Sequence, residues 1–397
     1  MKKHIYIFNE GSRASKCGIG TYVDQLIACF KDDESVSLHI VLLRSAEEFS
    51  ISKYESYNVI HTPVIRHECN TIEEHQLYYR NAAYLIAGHI KIPASDKLIF
   101  HFNAPVCILI LTLKRLFPES LTVYTIHVNR MCLGNKGNIQ LVRDKFTQQE
   151  NVFILPDNER QLFESVDHII CLSCFMKELL LDYYKISEEK VFLIQNGMKD
   201  KYLALSEREK DKIKRSLFIS VDEKTVLFVG RLHEQKGIEV LIDAFKKVVY
   251  EIPDSKLIIT GDGDFGKYLR LCEGYWNKIS FTGLLDRENL YRFYQIADIG
   301  VIPSFSEQCN YVAIEMMMFD LSIIGTNAPG LDEMIVNEED KIPIEYYGRE
   351  ARLSSSILAE KIVKKLKNKQ TESNRSVYLT HYSLDEFRNR TKAAYNI

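Results

Sequence analysis

Two domains, each an open parallel β-sheet with helices on both faces, are the fold this sequence predicts, and three observations carry that prediction. Short apolar runs alternate with longer stretches of helical spacing, the signature of a doubly wound α/β sheet. The alternation occurs twice, on either side of a polar and charged changeover. And 397 residues exceed the length over which one hydrophobic core keeps growing.

In the first half the strand runs are Ile5 to Phe8, Leu38 to Leu43, Leu98 to Phe102, Thr122 to Ile126 and Ile169 to Leu172. Between the first two, Tyr22, Leu26, Ile27 and Phe30 fall on one face of a helix that begins near Thr21. Val106 to Leu113 is the longest strongly apolar run and reads as a buried helix, far short of the roughly 20 residues that cross a bilayer. Lys114 and Arg115 beside it leave room for weak peripheral contact with a membrane surface.

The second half repeats the pattern with strands at Val226 to Val229, Leu257 to Thr260, Ile279 to Thr282, Ile299 to Ile302 and Ser322 to Gly325. Its first helix carries Val240, Leu241, Ala244, Phe245, Val248 and Val249 as a stripe that packs on the sheet. The changeover runs from Asn196-Gly197 through the Lys- and Glu-rich segment Glu207 to Arg215, and sets domains at 1–195 and 196–380. Ligands of such sheets bind beyond the carboxyl ends of the strands, so two of them facing each other would make a deep central cleft.

Composition narrows the function. A formal net charge of −3 gives no general attraction to a polyanion, which argues against nucleic acid as a partner. The N-terminus, MKKHIYIFNE, turns polar too soon for a secretory leader and reads as a first buried strand. Nine cysteines without regular spacing then fit free thiols in a reducing cytoplasm. Cys171 and Cys174 have C-x-x-C spacing but no second pair to complete a metal site, and read as a strand end and a helix start.

The chemistry-bearing residues cluster at strand ends. Gly230-Arg231 closes one strand and Lys236-Gly237 opens the next helix, so two cations stand where the sheet rule places a ligand. Fixed cations there would stabilise the charge that builds on a departing diphosphate. Glu307 and Glu315 lie eight positions apart, about 12 Å along an α-helix. That exceeds the roughly 5 to 9.5 Å between the paired acids of a glycoside hydrolase. Separate tasks suit them better: Glu307 in a loop reaching a sugar, and Glu315 in an apolar helix reaching a ribose.

Gly18-Ile19-Gly20 follows the first strand and lets backbone approach a ligand at a helix N-terminus. His127 ends the strand Thr122 to Ile126 and could hydrogen-bond a sugar hydroxyl; His101 and Asn103 end a neighbouring strand. Gly261 to Gly266 matches both G-x-G-x-x-G and, at Asp262 and Asp264, a D-x-D pair. It follows the second strand of its domain rather than the first, so a turn that touches the nucleotide through Gly263 is favoured over a dinucleotide fingerprint.

Together these residues resemble the GT4 family of retaining glycosyltransferases, group 1 of the glycosyl transferases, with the GT-B fold of two Rossmann-like domains. The resemblance is strongest from Val226 to Ile335 and continuous but weaker from Ile5 to Gly197. It implies that Arg231 and Lys236 hold the donor diphosphate, that Glu307 and Glu315 touch donor sugar and ribose, and that His127 faces the sugar. It also implies donor contacts from Gly18, Gly20, Gly230, Gly263 and the segment Gln308, Cys309, Asn310, Tyr311 and Val312. A final helix within 381–397, near Leu384 to Tyr395, is implied to return to the N-terminal domain.

The implied activity is transfer of a hexosyl or N-acetylhexosaminyl group from a UDP-sugar, ahead of a GDP-sugar, to a hydroxyl of a glycan, lipid carrier or peptide. Neither a metal nor a cofactor is implied, since the cations serve the diphosphate. The setting implied is cytoplasmic, or peripheral at the inner face of the membrane. Two departures stand out: Gln308-Cys309-Asn310 replaces the usual Gly-Phe-Gly, and Cys17 replaces the first glycine of G-G-x-G. The first bears on sugar choice, because backbone amides there meet the donor. Other GT-B activities, a sugar-nucleotide epimerase or a phosphorylase, and a non-catalytic sugar-nucleotide-binding subunit share these features.

Overall fold

The computed structural model describes residues 1–10, 18–45, 48–63, 71–147, 159–348, 350–368 and 373–397, with the backbone alone at residues 130 and 145–147. Cys17 and residues 148–158 lie outside the described residues. The chain divides into two compact units. The first comprises Met1–Asn129, Arg143–Lys199 and Leu384–Ile397, and the second Arg130–Val142 and Asp200–Ser383. Thus 130–142, inside the first domain by composition, groups with the second unit.

Among the described residues the N-terminal unit is built on eight strands: β1 (Lys3–Glu10), β2 (Val36–Ser45), β3 (Ser50–Lys53), β4 (Asn58–Pro63), β5 (Lys97–Phe102), β6 (Leu121–Ile126), β7 (His168–Cys171) and β8 (Val191–Leu193). Their order is β3-β4-β2-β1-β5-β6-β7-β8, parallel except for β3 at one edge. Ile5, Tyr6, Ile7 and Phe8 of β1 are all buried, as a central parallel strand covered on both faces requires. Strand order reverses between β1 and β5, so the ligand-binding switch point of this sheet lies at their carboxyl ends.

The helix Gly18–Phe30 buries Tyr22, Val23, Leu26, Cys29 and Phe30, and among the described residues it already includes Gly18 and Gly20, ahead of Thr21. Both glycines are therefore helical. The apolar run near Val106 is the helix Cys107–Leu116, with Leu109, Ile110 and Leu113 buried. Its Lys114 is engaged inside the unit, 2.7 Å from Asp167 Oδ2 and 2.5 Å from the Ser120 carbonyl, which commits one of the two cations held open for a membrane surface. No helix among the described residues is long and apolar enough to cross a membrane.

The chain's end is tied into this unit. The helix Leu384–Ala394 lies against Gly18–Phe30, where Arg388 Nε donates to the Cys29 carbonyl at 2.9 Å. Tyr395 reaches the core, its hydroxyl 2.5 Å from His101 Nδ1, while His101 Nε2 is 2.7 Å from Thr125 Oγ1 and Thr125 is 3.0 Å from the Tyr22 hydroxyl. Burial, and secondarily His127, pushes the His101 pKa down to about 3, which keeps this wholly buried imidazole neutral. His101 is thus spent on a structural chain of hydrogen bonds that pins the C-terminal helix.

The main sheet of the second unit has, among the described residues, six strands, β9 (Lys224–Val229), β10 (Ser255–Thr260), β11 (Ile279–Gly283), β12 (Ile299–Ile302), β13 (Ser322–Thr326) and β14 (Lys341–Ile342), in the order β11-β10-β9-β12-β13-β14. A hairpin of β15 (Glu345–Tyr347) and β16 (Glu350–Arg352) stands apart from this sheet. The helix Ile238–Glu251 buries Ile238, Leu241, Ile242, Ala244, Phe245 and Val248. Val240 and Val249, placed in the stripe by spacing, are only partly buried.

Two kinds of element escaped the sequence pattern for a physical reason. Glu207–Ser216, read as a charged changeover, is a helix whose Ser206 and Glu209 form a capping box, so its start is written in hydrogen bonds rather than hydrophobicity. Strands β3, β8 and β14 are edge strands of 4, 3 and 2 residues, too short for a periodic run, and β4 carries only Val59 and Ile60 as aliphatic residues. Replacing Tyr395 by Phe should leave His101 Nδ1 without a partner and cost about 1–3 kcal/mol in chemical denaturation of the whole chain. An unchanged unfolding midpoint would show that the hydrogen-bond chain is not what holds the terminal helix.

Candidate functional site

In the second unit the strand order reverses between β9 and β12, so the loops after these two strands flank the place where a doubly wound sheet binds its ligand. After β9 the backbone turns at Gly230, exposes Arg231, buries Leu232 and enters a short 3-10 turn, Glu234–Lys236. His233 opens that turn with its ring accepting from the Gln235 amide. Gly237 then caps the helix Ile238–Glu251 in the left-handed region, φ 65°, and a Cβ there would lie 2.1 Å from the Pro303 carbonyl oxygen. Only glycine permits this approach.

That approach brings the two loops together. Phe305 N donates to the Gln235 carbonyl at 3.0 Å, and with Gly237 against Pro303 the loop after β12 is held to the loop after β9. Lys236 Nζ is consequently 2.5 Å from Glu307 Oε1, with the two side chains 25% and 13% exposed. Arg231 is exposed and has no ion-pair partner among the described residues. The site therefore holds one cation paired with a partly buried acid and one cation uncommitted, a fit for a group carrying two or more negative charges.

Glu315 lies on the helix Tyr311–Met318, buried among Ile314, Met316 and Met317. Its partner is Tyr294, whose hydroxyl donates to Oε2 at 2.7 Å. Burial pushes its pKa from 4.5 up to about 7, while the Tyr294 hydrogen bond and the field of Arg287 pull the other way. Spacing could not have found Tyr294: it comes from the helix Arg287–Ile296, which reaches Glu315 only through tertiary packing.

The departure at Gln308, Cys309 and Asn310 turns inward. Asn310 caps the helix by accepting the Ala313 amide at 3.0 Å, and Cys309 is buried. Tyr311 and Val312 form the first turn of this helix, its electropositive end. The Gly261 to Gly266 motif is a packing device: a Cβ on Gly261 would fall 1.8 Å from the Gly230 oxygen, and Gly263 pairs with Leu232. Asp264 accepts the Lys267 amide at 3.2 Å as a helix cap, and the described residues contain no cluster of His, Cys, Asp and Glu that could hold a metal.

In the N-terminal unit His127 follows β6, and its Nε2 lies 2.9 Å from Asn103 Oδ1, just past β5. The ring is partly accessible at the strand end yet enclosed enough that burial pushes its pKa down to about 3. Tyr22 meets it edge-on at 4.7 Å. A Cβ on Gly18 would meet nothing within 4 Å, so packing does not require that glycine. Cys171 is buried and Cys174 exposed, both free thiols, and Ser173 between them caps the helix Cys174–Glu178.

Two doubly wound parallel-sheet units are the fold of this chain, and solved structures that share it include GT-B glycosyltransferases. Sucrose-phosphate synthase from Thermosynechococcus elongatus matches with a TM-score of 0.75 at 19% identity, covering 100% of this chain and 98% of that one. Anabaena Alr3699/HepE in complex with UDP and glucose matches at 0.69 and 14% identity, covering 99% of each chain. Residues 209–377 match the family model described as glycosyl transferases group 1, and this segment is a domain of that family. An uncharacterized glycosyltransferase of Methanocaldococcus jannaschii is 38% identical over 179 residues, 44% of this chain and 46% of that protein. The chain thus matches about half the length of that relative.

The raised pKa of Glu315 sets a pH dependence. Between the unfolded value of 4.5 and the folded value of about 7, the unfolded chain loses this proton while the folded one keeps it, so stability falls as pH rises through that window. The shift corresponds to about 3 kcal/mol. Glu315→Gln, which keeps an acceptor for Tyr294, should therefore raise the melting temperature of the ligand-free protein at pH 8 and leave it unchanged near pH 4. Equal shifts at both pH values would show that Glu315 is not a strained acid.

Proposed function

We propose that this chain is a retaining glycosyltransferase that moves a hexosyl or N-acetylhexosaminyl group from a UDP-sugar to a hydroxyl acceptor. The observation that carries the reading is the Lys236–Glu307 pair held at the switch point of the group 1 domain, beside the uncommitted Arg231. An arriving diphosphate competes for Lys236 and releases Glu307 to accept from a sugar hydroxyl. Arg231 adds a planar fork for the phosphate oxygens. Both cations then stabilise the charge that develops on the leaving diphosphate, without a metal being required for it.

Glu315 is assigned to the ribose hydroxyls, whose hydrogen bonds favour its carboxylate form, and His127 to a hydroxyl of the donor sugar. Retention follows if the leaving phosphate and the incoming hydroxyl share one face of the sugar, the phosphate taking the acceptor's proton. UDP is favoured over GDP by the UDP held in the Anabaena structure of the same fold. The acceptor class stays as broad as glycan, lipid carrier or peptide. A cytoplasmic setting, with peripheral membrane contact if the acceptor is a lipid, is part of the same proposal.

A thermal-shift screen across UDP- and GDP-sugars should single out the donor, since a ligand that binds only the folded form raises its melting temperature. With that donor, Lys236→Ala should lower kcat about 100-fold to 1,000-fold, the usual effect of removing one preorganised group from a developing anion. Glu315→Ala should weaken donor binding while its circular dichroism stays native. Full transfer by both variants would remove the site. Conversion of the sugar nucleotide without acceptor, or dependence on free phosphate, would replace the reading with an epimerase or a phosphorylase.

A further inference from the structure

We infer that Asn103 is a positioning residue for His127, holding its imidazole as the Nε2–H tautomer so that Nδ1 is the atom presented to a hydroxyl donor. The inference rests on the proposed reading of His127 as the sugar-facing histidine. Asn103 is 4% exposed, and its backbone N and side-chain Nδ2 both donate to the Phe8 carbonyl, at 3.1 and 3.2 Å. The reversed amide would set Oδ1 against that carbonyl oxygen, two acceptors face to face. Oδ1 is therefore the atom 2.9 Å from His127 Nε2, and since it can only accept, Nε2 carries the proton.

The rest of the enclosure agrees. A neutral imidazole has one N–H, and burial keeps His127 neutral, so a proton on Nε2 leaves Nδ1 with its lone pair. Among the described residues, the titratable groups facing it are Tyr22, edge-on at 4.7 Å, and His101. Burial keeps His101 neutral and raises the Tyr22 hydroxyl, which is fixed 3.0 Å from Thr125. Neither supplies a charge that would move the proton to Nδ1. The consequence is a specificity rule: the ligand atom meeting Nδ1 must donate a hydrogen bond, so a hydroxyl is accepted and a fluorine or a methoxy group is not.

Multiple-bond 1H–15N spectra of protein labelled at histidine, with His127 assigned from the His127→Ala spectrum, read the tautomer without any ligand. The expected result is Nε2 protonated in the wild type and a mixture of tautomers in Asn103→Leu. Asn103→Asp, which keeps an acceptor but adds charge, should retain Nε2–H and raise the His127 pKa well above about 3. A protonated Nδ1 in the wild type overturns the inference, as does a wild-type tautomer pattern in folded Asn103→Leu. If Asn103→Leu does not fold, an unshifted His127 pKa in Asn103→Asp does the same.

With the donor selected by thermal shift, Asn103→Leu should lower kcat/KM about tenfold, the scale of one lost hydrogen bond. The double variant with His127→Ala should be no worse than His127→Ala alone, which separates action through His127 from a merely structural loss. Additive losses would overturn the positioning role. Full activity of His127→Ala would instead remove the sugar-facing reading and leave the tautomer result standing.

Discussion

Close approach of two backbone segments, Gly237 on the Pro303 carbonyl, is the constraint on which the charged site depends. Lys236 and Glu307 are separated by 71 positions and belong to loops after different strands. Long side chains forming a partly exposed ion pair gain at most about 1 kcal/mol, too little to dock two loops. The docking is done instead by the missing Cβ of Gly237 and the Phe305–Gln235 backbone hydrogen bond. Because the pair is weak and the scaffold rigid, a ligand can take Lys236 from Glu307 without disturbing what placed it. A site built the other way, with the ion pair holding the loops, would come apart on binding.

Both units leave the carboxyl ends of their strands free by bracing the opposite ends. Asp167, just before β7, accepts the amide and hydroxyl of Thr122 at 2.8 Å each; Asp298, just before β12, accepts the Thr225 amide at 2.8 Å. Each carboxylate closes the amino edge of its sheet against a Thr at the start of a neighbouring strand. The polar groups at the other edge are then available for ligands. Asn103 shows the same economy, since its amide spends its nitrogen on the Phe8 carbonyl and offers only its oxygen to His127.

Sequence pattern exposed the elements whose signal is periodic hydrophobicity. The five runs of the second half coincide with β9 to β13, and those of the first half with β1, β2, β5, β6 and β7. Segments specified by polar contacts were invisible, as at Glu207–Ser216, or at 130–142, where Asn138 donates to the Gly348 carbonyl and the Tyr346 hydroxyl to that of Gly137. At the site, Arg231, Lys236 and Glu307 could be picked out because charged residues follow strand ends in a fixed local order. Tyr294 and Asn103 act through a neighbour in space, and no spacing encodes that. The glycines of 261–266 show the converse, a motif whose letters match phosphate chemistry while its geometry is spent on Gly230 and Leu232.

Gln308-Cys309-Asn310, standing where the resembled family has Gly-Phe-Gly, serves the start of the helix that follows. Had all three side chains pointed at the donor, they would have filled the space that the glycines leave for it. Asn310 instead satisfies the Ala313 amide, and Cys309 is buried. Two of the three are therefore committed to starting and packing the helix that carries Glu315, a buried acid whose burial costs stability at neutral pH. That cost argues for a firm helix start: fraying at Asn310 would let Glu315 reach water and relax, and a relaxed carboxylate would lose its fixed direction. Gln308, beside Glu307, is partly exposed. The departure thus trades backbone openness for a better-anchored helix.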